Sequence, residues 1–166
     1  MRKILIAALA VVALSACATA ERLGAANDVH ALLVSIRDDD SQAIDAHVDH
    51  DALKKQLSAH LDQRIGQNKK VRELAALLGP SVIDFADQAL IQPKTFKLVA
   101  EQYGYSSATK IPSAIALSTT LKNLPDGRVC ATKKKDGPCI LTFTKEQGVW
   151  KLTSFEGDSS MLRLKL

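Results

Sequence analysis

The chain has 166 residues, 46% of them hydrophobic, and its 22 basic and 18 acidic side chains give a formal charge of +4. This length suits one domain with its own core, and the charge is too small to indicate a nucleic-acid surface. Arg2 and Lys3 lie in a leader that we expect to be removed, which leaves 20 basic and 18 acidic residues and a mature charge of +2. We therefore predict no nucleic-acid partner.

The first seventeen residues have the layout of a bacterial export signal. Arg2 and Lys3 form a basic start, and residues 4–14 form an unbroken apolar run that is too short to persist as a membrane-spanning helix. The Leu-Ser-Ala-Cys segment at residues 14–17 resembles the lipobox of bacterial lipoproteins, whose cysteine becomes the acylated first residue of the mature protein. We predict a lipoprotein signal peptide over residues 1–16, with acyl chains such as palmitate on Cys17.

The resemblance to lipoproteins also predicts a location. No aspartate follows Cys17, which favours the periplasmic face of the outer membrane over the inner membrane. Several acyl chains on one cysteine anchor stably, because each buried methylene contributes about 0.8 kcal/mol. Ala18-Thr19-Ala20 also fits the small-x-small cleavage pattern, so an ordinary signal peptide and a soluble periplasmic protein stay open as the alternative.

The chain that follows a predicted tether at residues 17–26 has the apolar spacing of short amphipathic helices. Asn27 is the predicted N-cap of the first helix, and Asp38-Asp39-Asp40 ends it and caps a short second one. In residues 51–66 the apolar positions recur every four residues, which predicts a third helix. Gly and Pro punctuation predicts further helices over residues 71–78, 80–90 and 93–103.

Beyond Gly104 the apolar period changes to that of strands. Turn signals such as Asp126-Gly127 and Gly148 separate the alternating segments. Strands are predicted over residues 114–122, 128–132, 139–145 and 149–155, with a fifth over 161–166 left open. We predict one α+β domain over residues 27–166, in which a four- or five-stranded antiparallel meander carries the helices on one face.

The last predicted hairpin has a preferred register. A tip at residues 146–147 sets Phe143 opposite Trp150. The same register sets Leu141 opposite Leu152, so that four large apolar groups share one face, whereas a slip of one residue pairs them with polar groups. We predict that Trp150 anchors the core.

Cys130 and Cys139 flank a loop between two predicted strands, and disulfides persist in an oxidising compartment. A redox or metal role would favour Cys-x-x-Cys spacing or a nearby histidine, and the pair has neither. We predict a structural disulfide that contributes about 2 to 3 kcal/mol. The loop must be wider than a two-residue turn, because a tight turn at Asp136-Gly137 would not set the cysteines directly opposite.

The densest group of metal-ligand side chains is His47, Asp49 and His50. The two histidines are three residues apart and could share a helix face, with Asp49 as a further ligand. The competing interpretation is a helix junction at which Asp49 or Asp51 caps the next helix and the histidines are solvated. A metal-binding or metal-dependent protein is therefore an alternative hypothesis.

Motifs for catalysis are missing from the sequence. No serine lies in a Gly-x-Ser-x-Gly turn, and the glycines do not form a phosphate-binding loop. We predict a non-enzymatic binding or envelope-support module that needs no cofactor. A partner envelope protein or a hydrophobic ligand would bind between helices and sheet, near Phe96, Tyr103, Phe143 and Trp150. A carrier of lipids or small hydrophobic ligands is the further alternative.

Three segments resemble a bacterial family known as domain of unknown function 2939. They are Val48-Asp49 with Ala52-Leu53 and the helix after it, the Gln92-Pro93 helix start with Phe96, and the hairpin from Cys139 to Leu152 that contains Trp150-Lys151-Leu152. Similar sequences often have arginine shortly after Val-Asp, where this chain has Lys54. The resemblance implies an envelope-associated helical half followed by a small antiparallel sheet, and it implies no activity.

Overall fold

The computed structural model describes residues 2–67, 92–102, 105–134 and 137–156. It has the predicted α+β architecture, with helices followed by a four-stranded antiparallel sheet. The helices are α1 (Arg2–Asp38), α2 (Ser41–Ala46), α3 (His50–Gln67), α4 (Pro93–Gln102) and α5 (Ala114–Ser118). The strands are β1 (Leu121–Asn123), β2 (Val129–Thr132), β3 (Cys139–Glu146) and β4 (Val149–Phe155). The helices predicted over 71–78 and 80–90 and the strand over 161–166 lie outside the described residues.

The chain divides into two compact units. Unit 1 comprises Met1–Ala31 and Ile111–Leu166, and unit 2 comprises Leu32–Lys110. The sequence predicts one domain over residues 27–166. Apolar periodicity identifies helices and strands, but it does not show which of them pack together into a unit. None of the described helices has both the length and the apolar character needed to cross a membrane.

Unit 1 contains the sheet, whose strands follow the chain in the order β1-β2-β3-β4. This order confirms the predicted meander. Val129 pairs with Phe143 and Phe143 with Leu152, so one face of the sheet carries these apolar side chains. Buried on unit 1 are Ala25, Ala26, Val29, Ile111, Leu121, Val129, Cys130, Phe143, Trp150 and Leu152.

The register of the last hairpin differs from the prediction. Lys145 pairs with Trp150 and Phe143 with Leu152, so the tip is Gln147-Gly148 rather than residues 146–147. Gln147 has φ 50° and Gly148 φ 91°, and two positive φ values are the signature of the turn that suits a two-residue hairpin. The glycine therefore sets the tip. Because the pairing partner moves by two positions, the large apolar groups still share one face.

The predicted strand over residues 114–122 is wrong in its first half. Residues 114–118 form α5, and Ser113 caps it by accepting a hydrogen bond from the Ala116 amide at 3.3 Å. Its sequence, Ala-Ile-Ala-Leu-Ser, alternates in hydropathy but is rich in good helix formers. Ile115 is 74% exposed, so this alternation does not mark a buried face.

The predicted helix start at Asn27 is also wrong, because α1 continues through it. Residues 18–26, predicted as tether, are helical, and both Ala25 and Ala26 are fully buried. Residues 21–26 are good helix formers apart from Gly24. An N-cap residue therefore marks a helix start only where the chain before it leaves the helix.

Unit 2 confirms the helix caps that its sequence predicts. Asp40 caps α2 by accepting a hydrogen bond from the Ala43 amide at 3.1 Å. Asp49 caps α3 through the Ala52 amide at 2.9 Å. Apolar residues at helical spacing form the core, where Leu32, Ile44, Val48, Leu53 and Leu57 are buried.

Candidate functional site

The first described contact between α1 and the sheet lies one residue after the predicted acylation site. The Ala18 carbonyl oxygen accepts a hydrogen bond from Asn123 Nδ2 at 2.8 Å. Asn123 is the last residue of β1. Consecutive α-carbons are about 3.8 Å apart. A single peptide unit therefore separates Cys17 from a residue that is bound to the sheet.

A second hydrogen bond ties α1 to the other edge of the sheet. The Trp150 backbone amide donates to Asp28 Oδ2 at 2.8 Å. Ten residues of α-helix from Ala18 to Asp28 rise about 15 Å. Three strand spacings from β1 to β4 amount to about 14 Å. Helix α1 thus crosses the four strands from edge to edge.

Small residues let α1 approach the sheet closely between these two ties. Ala25 and Ala26 are fully buried, and a Cβ added to Gly24 would lie 3.5 Å from Trp150 Nε1. Trp150 is only 2% exposed, which confirms its predicted core role. Lys145 Nζ lies 5.9 Å from the centre of the tryptophan ring, a cation–π contact at the rim of this core.

The Asn123 side chain has one polar atom that is not satisfied. Its Oδ1 is buried and has no hydrogen-bond partner among the described residues. An unpaired buried acceptor costs about 1 to 3 kcal/mol. The residue that binds Ala18 therefore has spare hydrogen-bonding capacity next to the predicted anchor.

The disulfide between Cys130 and Cys139 joins β2 to β3, as predicted. The two α-carbons are 5.5 Å apart. Cys139 pairs with Thr132, and the register shifts between Ala131 and Thr132, which gives the wider loop that the bridge requires. In the chain-entropy model a closed loop of this size contributes about 2 to 3 kcal/mol. The bridge therefore stabilises the pairing of β2 with β3.

The three predicted metal ligands are engaged separately. His47 Nδ1 lies 2.8 Å from the Ala43 carbonyl oxygen, and His50 Nε2 lies 3.0 Å from Asp45 Oδ1. Asp49 caps α3. Among the described residues, no group of three or more His, Cys, Asp or Glu side chains could hold a metal ion. The Asp49 cap agrees with the helix-junction interpretation, and the metal-binding alternative stays a hypothesis.

The four predicted ligand-binding residues are not brought together as one described site. Phe143 and Trp150 belong to unit 1 and are 1% and 2% exposed, so they fill the core. Phe96 is half-buried on α4 of unit 2. Tyr103 lies outside the described residues. A shallow depression elsewhere follows the exposed face of α3, lined by Asp51, Lys54, Lys55, Ser58, Ala59 and Asp62.

Exposed ion pairs account for the shifted pKa values. A hydrogen bond from Arg128 lowers the pKa of the Asp126 carboxyl, and the same bond raises the pKa of Arg128. In unit 2, the hydrogen bond to Asp39 raises the pKa of Lys97, whose Nζ lies 2.8 Å from Asp39 Oδ2. Such exposed pairs contribute little to stability.

A family model described as protein of unknown function (DUF2939) matches residues 5–99, more than half of the chain. The chain belongs to this family. Neither a curated protein nor a solved structure matches it.

The DUF2939 match confirms the resemblance predicted from the sequence, but its limits differ. It includes most of the apolar segment at residues 4–14 and ends within α4. The sheet and its closing hairpin, on which the predicted resemblance partly depended, lie outside the matched residues. The family description names no activity.

Sequence reasoning missed Asp28 and Asn123, the residues that tie α1 to the sheet. Asp28 follows the predicted N-cap and looks like an ordinary first-turn acid, and Asn123 precedes a turn, where asparagine is common. Their hydrogen bonds span 122 and 105 residues of sequence. Local spacing carries no signal for contacts at such separations.

Proposed function

We propose that this DUF2939 protein is a lipoprotein anchored through Cys17 to the periplasmic face of the outer membrane. One observation supports this proposal above others: the Leu-Ser-Ala-Cys motif ends directly before Ala18, the first residue with a described contact to the sheet. Cleavage before Cys17 would remove the leader and keep every helix–sheet contact described above. The membrane, through the lipid, is thus the first partner.

We further propose a non-enzymatic role in binding a protein partner or supporting the envelope. Phe143 and Trp150 are buried in the core, so little of their surface is available to a small hydrophobic ligand. Large apolar side chains are exposed elsewhere, at Leu23 and Ile115 of unit 1 and Leu98 of unit 2. The burial of Phe143 and Trp150 is what favours a protein partner over the carrier hypothesis.

Metabolic labelling with radioactive palmitate tests the anchor. The wild-type protein is expected to incorporate label, and Cys17→Ser is expected to incorporate none, because the acyl chains require this sulfur. A Cys130→Ser, Cys139→Ser double variant is the matched control and should label normally. Undiminished labelling of Cys17→Ser, or a mature N-terminus at Glu21, would contradict the proposal.

A further inference from the structure

We infer that a corner of unit 1, formed by Ala18, Asn123 and the turn at residues 124–128, lies directly against the membrane. This anchor corner rests on the proposed acylation of Cys17. Asn123 Nδ2 donates a hydrogen bond to the Ala18 carbonyl oxygen at 2.8 Å. The chain between the acylated residue and the first residue bound to the sheet is therefore one residue long. One residue spans about 3.8 Å. This short connection therefore keeps the corner of unit 1 next to the lipid headgroups.

The β1–β2 turn belongs to this corner because it directly follows Asn123. It is compact: the Leu124 amide donates to the Arg128 carbonyl oxygen at 2.8 Å, and the Gly127 amide donates to the Leu124 carbonyl oxygen at 3.1 Å. Residues 125–128 are exposed. They are thus available to touch lipid headgroups.

The β2–β3 loop, in contrast, lies at the far end of the strands. From Val129 to Thr132 strand β2 rises about 10 Å away from the turn. Lys133 and Lys134 follow and are exposed. A basic loop would be the usual choice for contact with anionic lipid. The geometry instead places these lysines at the end of the strands away from the anchor.

The chemistry of the anchor corner suits headgroups rather than acyl chains. Asp126 and Arg128 form an ion pair with a nitrogen–oxygen distance of 2.7 Å, and Lys122 on β1 is exposed. None of the exposed large apolar residues lies in the turn. Paired and single charges next to a lipid anchor favour contact with the polar surface and oppose insertion.

Asn123 is the positioning residue of this corner. Cleavage before Cys17 removes the carbonyl groups of residues 13 and 14, to which the helical N–H groups of residues 17 and 18 donate. Asn123 carries a buried acceptor, Oδ1, without a described partner, on the side chain already bound to Ala18. The new helix end therefore offers N–H groups as donors, and the Asn123 Oδ1 acceptor has no described donor.

Site-specific photocrosslinking to lipid tests the inference. A benzophenone side chain is placed at Pro125 or, as the matched control, at Lys134, both of which are exposed. The acylated proteins are reconstituted in vesicles of phosphatidylethanolamine and phosphatidylglycerol with a traceable headgroup. We expect several-fold more lipid adduct from position 125 than from position 134. Asn123→Ala should make the adduct yields at the two positions similar, because Ala18 is then no longer held to β1 and the connection between Cys17 and the sheet lengthens.

Two outcomes separate this inference from the proposed function. Equal yields from the two positions in an acylated, vesicle-bound protein, or a higher yield from position 134, would overturn the anchor corner alone. Failure of the wild-type protein to become acylated would overturn the proposed function, whatever the crosslinks show. In the Cys17→Ser background both positions should give the same low adduct yield. An undiminished yield at position 125 would contradict the claim that its contact with lipid depends on the anchor at Cys17.

Discussion

At the residue scale, single polar side chains hold α1 to the sheet. Asp28 accepts from the Trp150 amide, on an edge strand whose outward N–H groups would otherwise meet solvent or another chain. Asn123 binds Ala18 at the opposite edge. Each tie joins a helix to a strand more than a hundred residues away. The two side chains therefore act together with the buried Ala25 and Ala26 to hold α1 on the sheet.

Replacing Asp28 tests this role. We expect Asp28→Ala to lower the free energy of unfolding by about 2 kcal/mol, because a partly buried amide loses a charged acceptor. Asp28→Asn keeps an acceptor oxygen and should lose less. Denaturant unfolding of these variants in the non-acylated Cys17→Ser background measures both. Glu21→Ala, an exposed change on the same helix, should stay within about 0.5 kcal/mol. A loss for Asp28→Ala no larger than that control would contradict the tie.

At the element scale, backbone conformation overrides hydrophobic pattern in the last hairpin. The apolar groups of β3 and β4 share one face in the predicted register and in the observed one. Burial alone does not choose between the two. Gly148, at φ 91°, selects the tip, because glycine adopts this conformation at no steric cost.

Gln147 allows this explanation to be tested in both directions. It adopts φ 50° without being glycine, which is strained for a side chain of its kind. Gln147→Asn creates an Asn-Gly turn and should raise the free energy of unfolding by about 0.5 kcal/mol. Gln147→Val should lower it by about 1 kcal/mol, because a branched Cβ resists positive φ. Shifts of the denaturation midpoint in the same direction for both variants would refute a left-handed backbone conformation at residue 147.

At the scale of the whole molecule, the protein that the proposed cleavage before Cys17 would leave is nearly neutral. Removal of Arg2 and Lys3 leaves a formal charge of +2, too little for stable attachment to a membrane by charge. The proposed acyl anchor, in contrast, depends on burial of methylene groups and not on charge.

This difference predicts how the protein leaves the membrane. Concentrated salt screens charge attraction within a few ångströms and should leave the protein in the membrane pellet, whereas detergent should release it. Immunoblots of washed membranes measure the two fractions. Cys17→Ser should be found in the periplasmic extract without detergent. Release of the wild-type protein by salt alone would indicate attachment by charge and contradict a lipid anchor.

The sequence determined much about this protein by itself. The caps at Asp40 and Asp49, the β2, β3 and β4 strands, the meander and the Cys130–Cys139 bridge were all predictable. Each depends on residues close in sequence or on a turn that joins consecutive strands. The leader and the Leu-Ser-Ala-Cys motif are predicted from local signals of the same kind, and they stay predictions.

Tertiary structure decided the rest. It packed Ala25 and Ala26, which belong to the predicted tether, into the core of unit 1. It bound Ala18 to Asn123, 105 residues away. Such contacts depend on which surfaces meet in three dimensions, and local sequence patterns do not encode that.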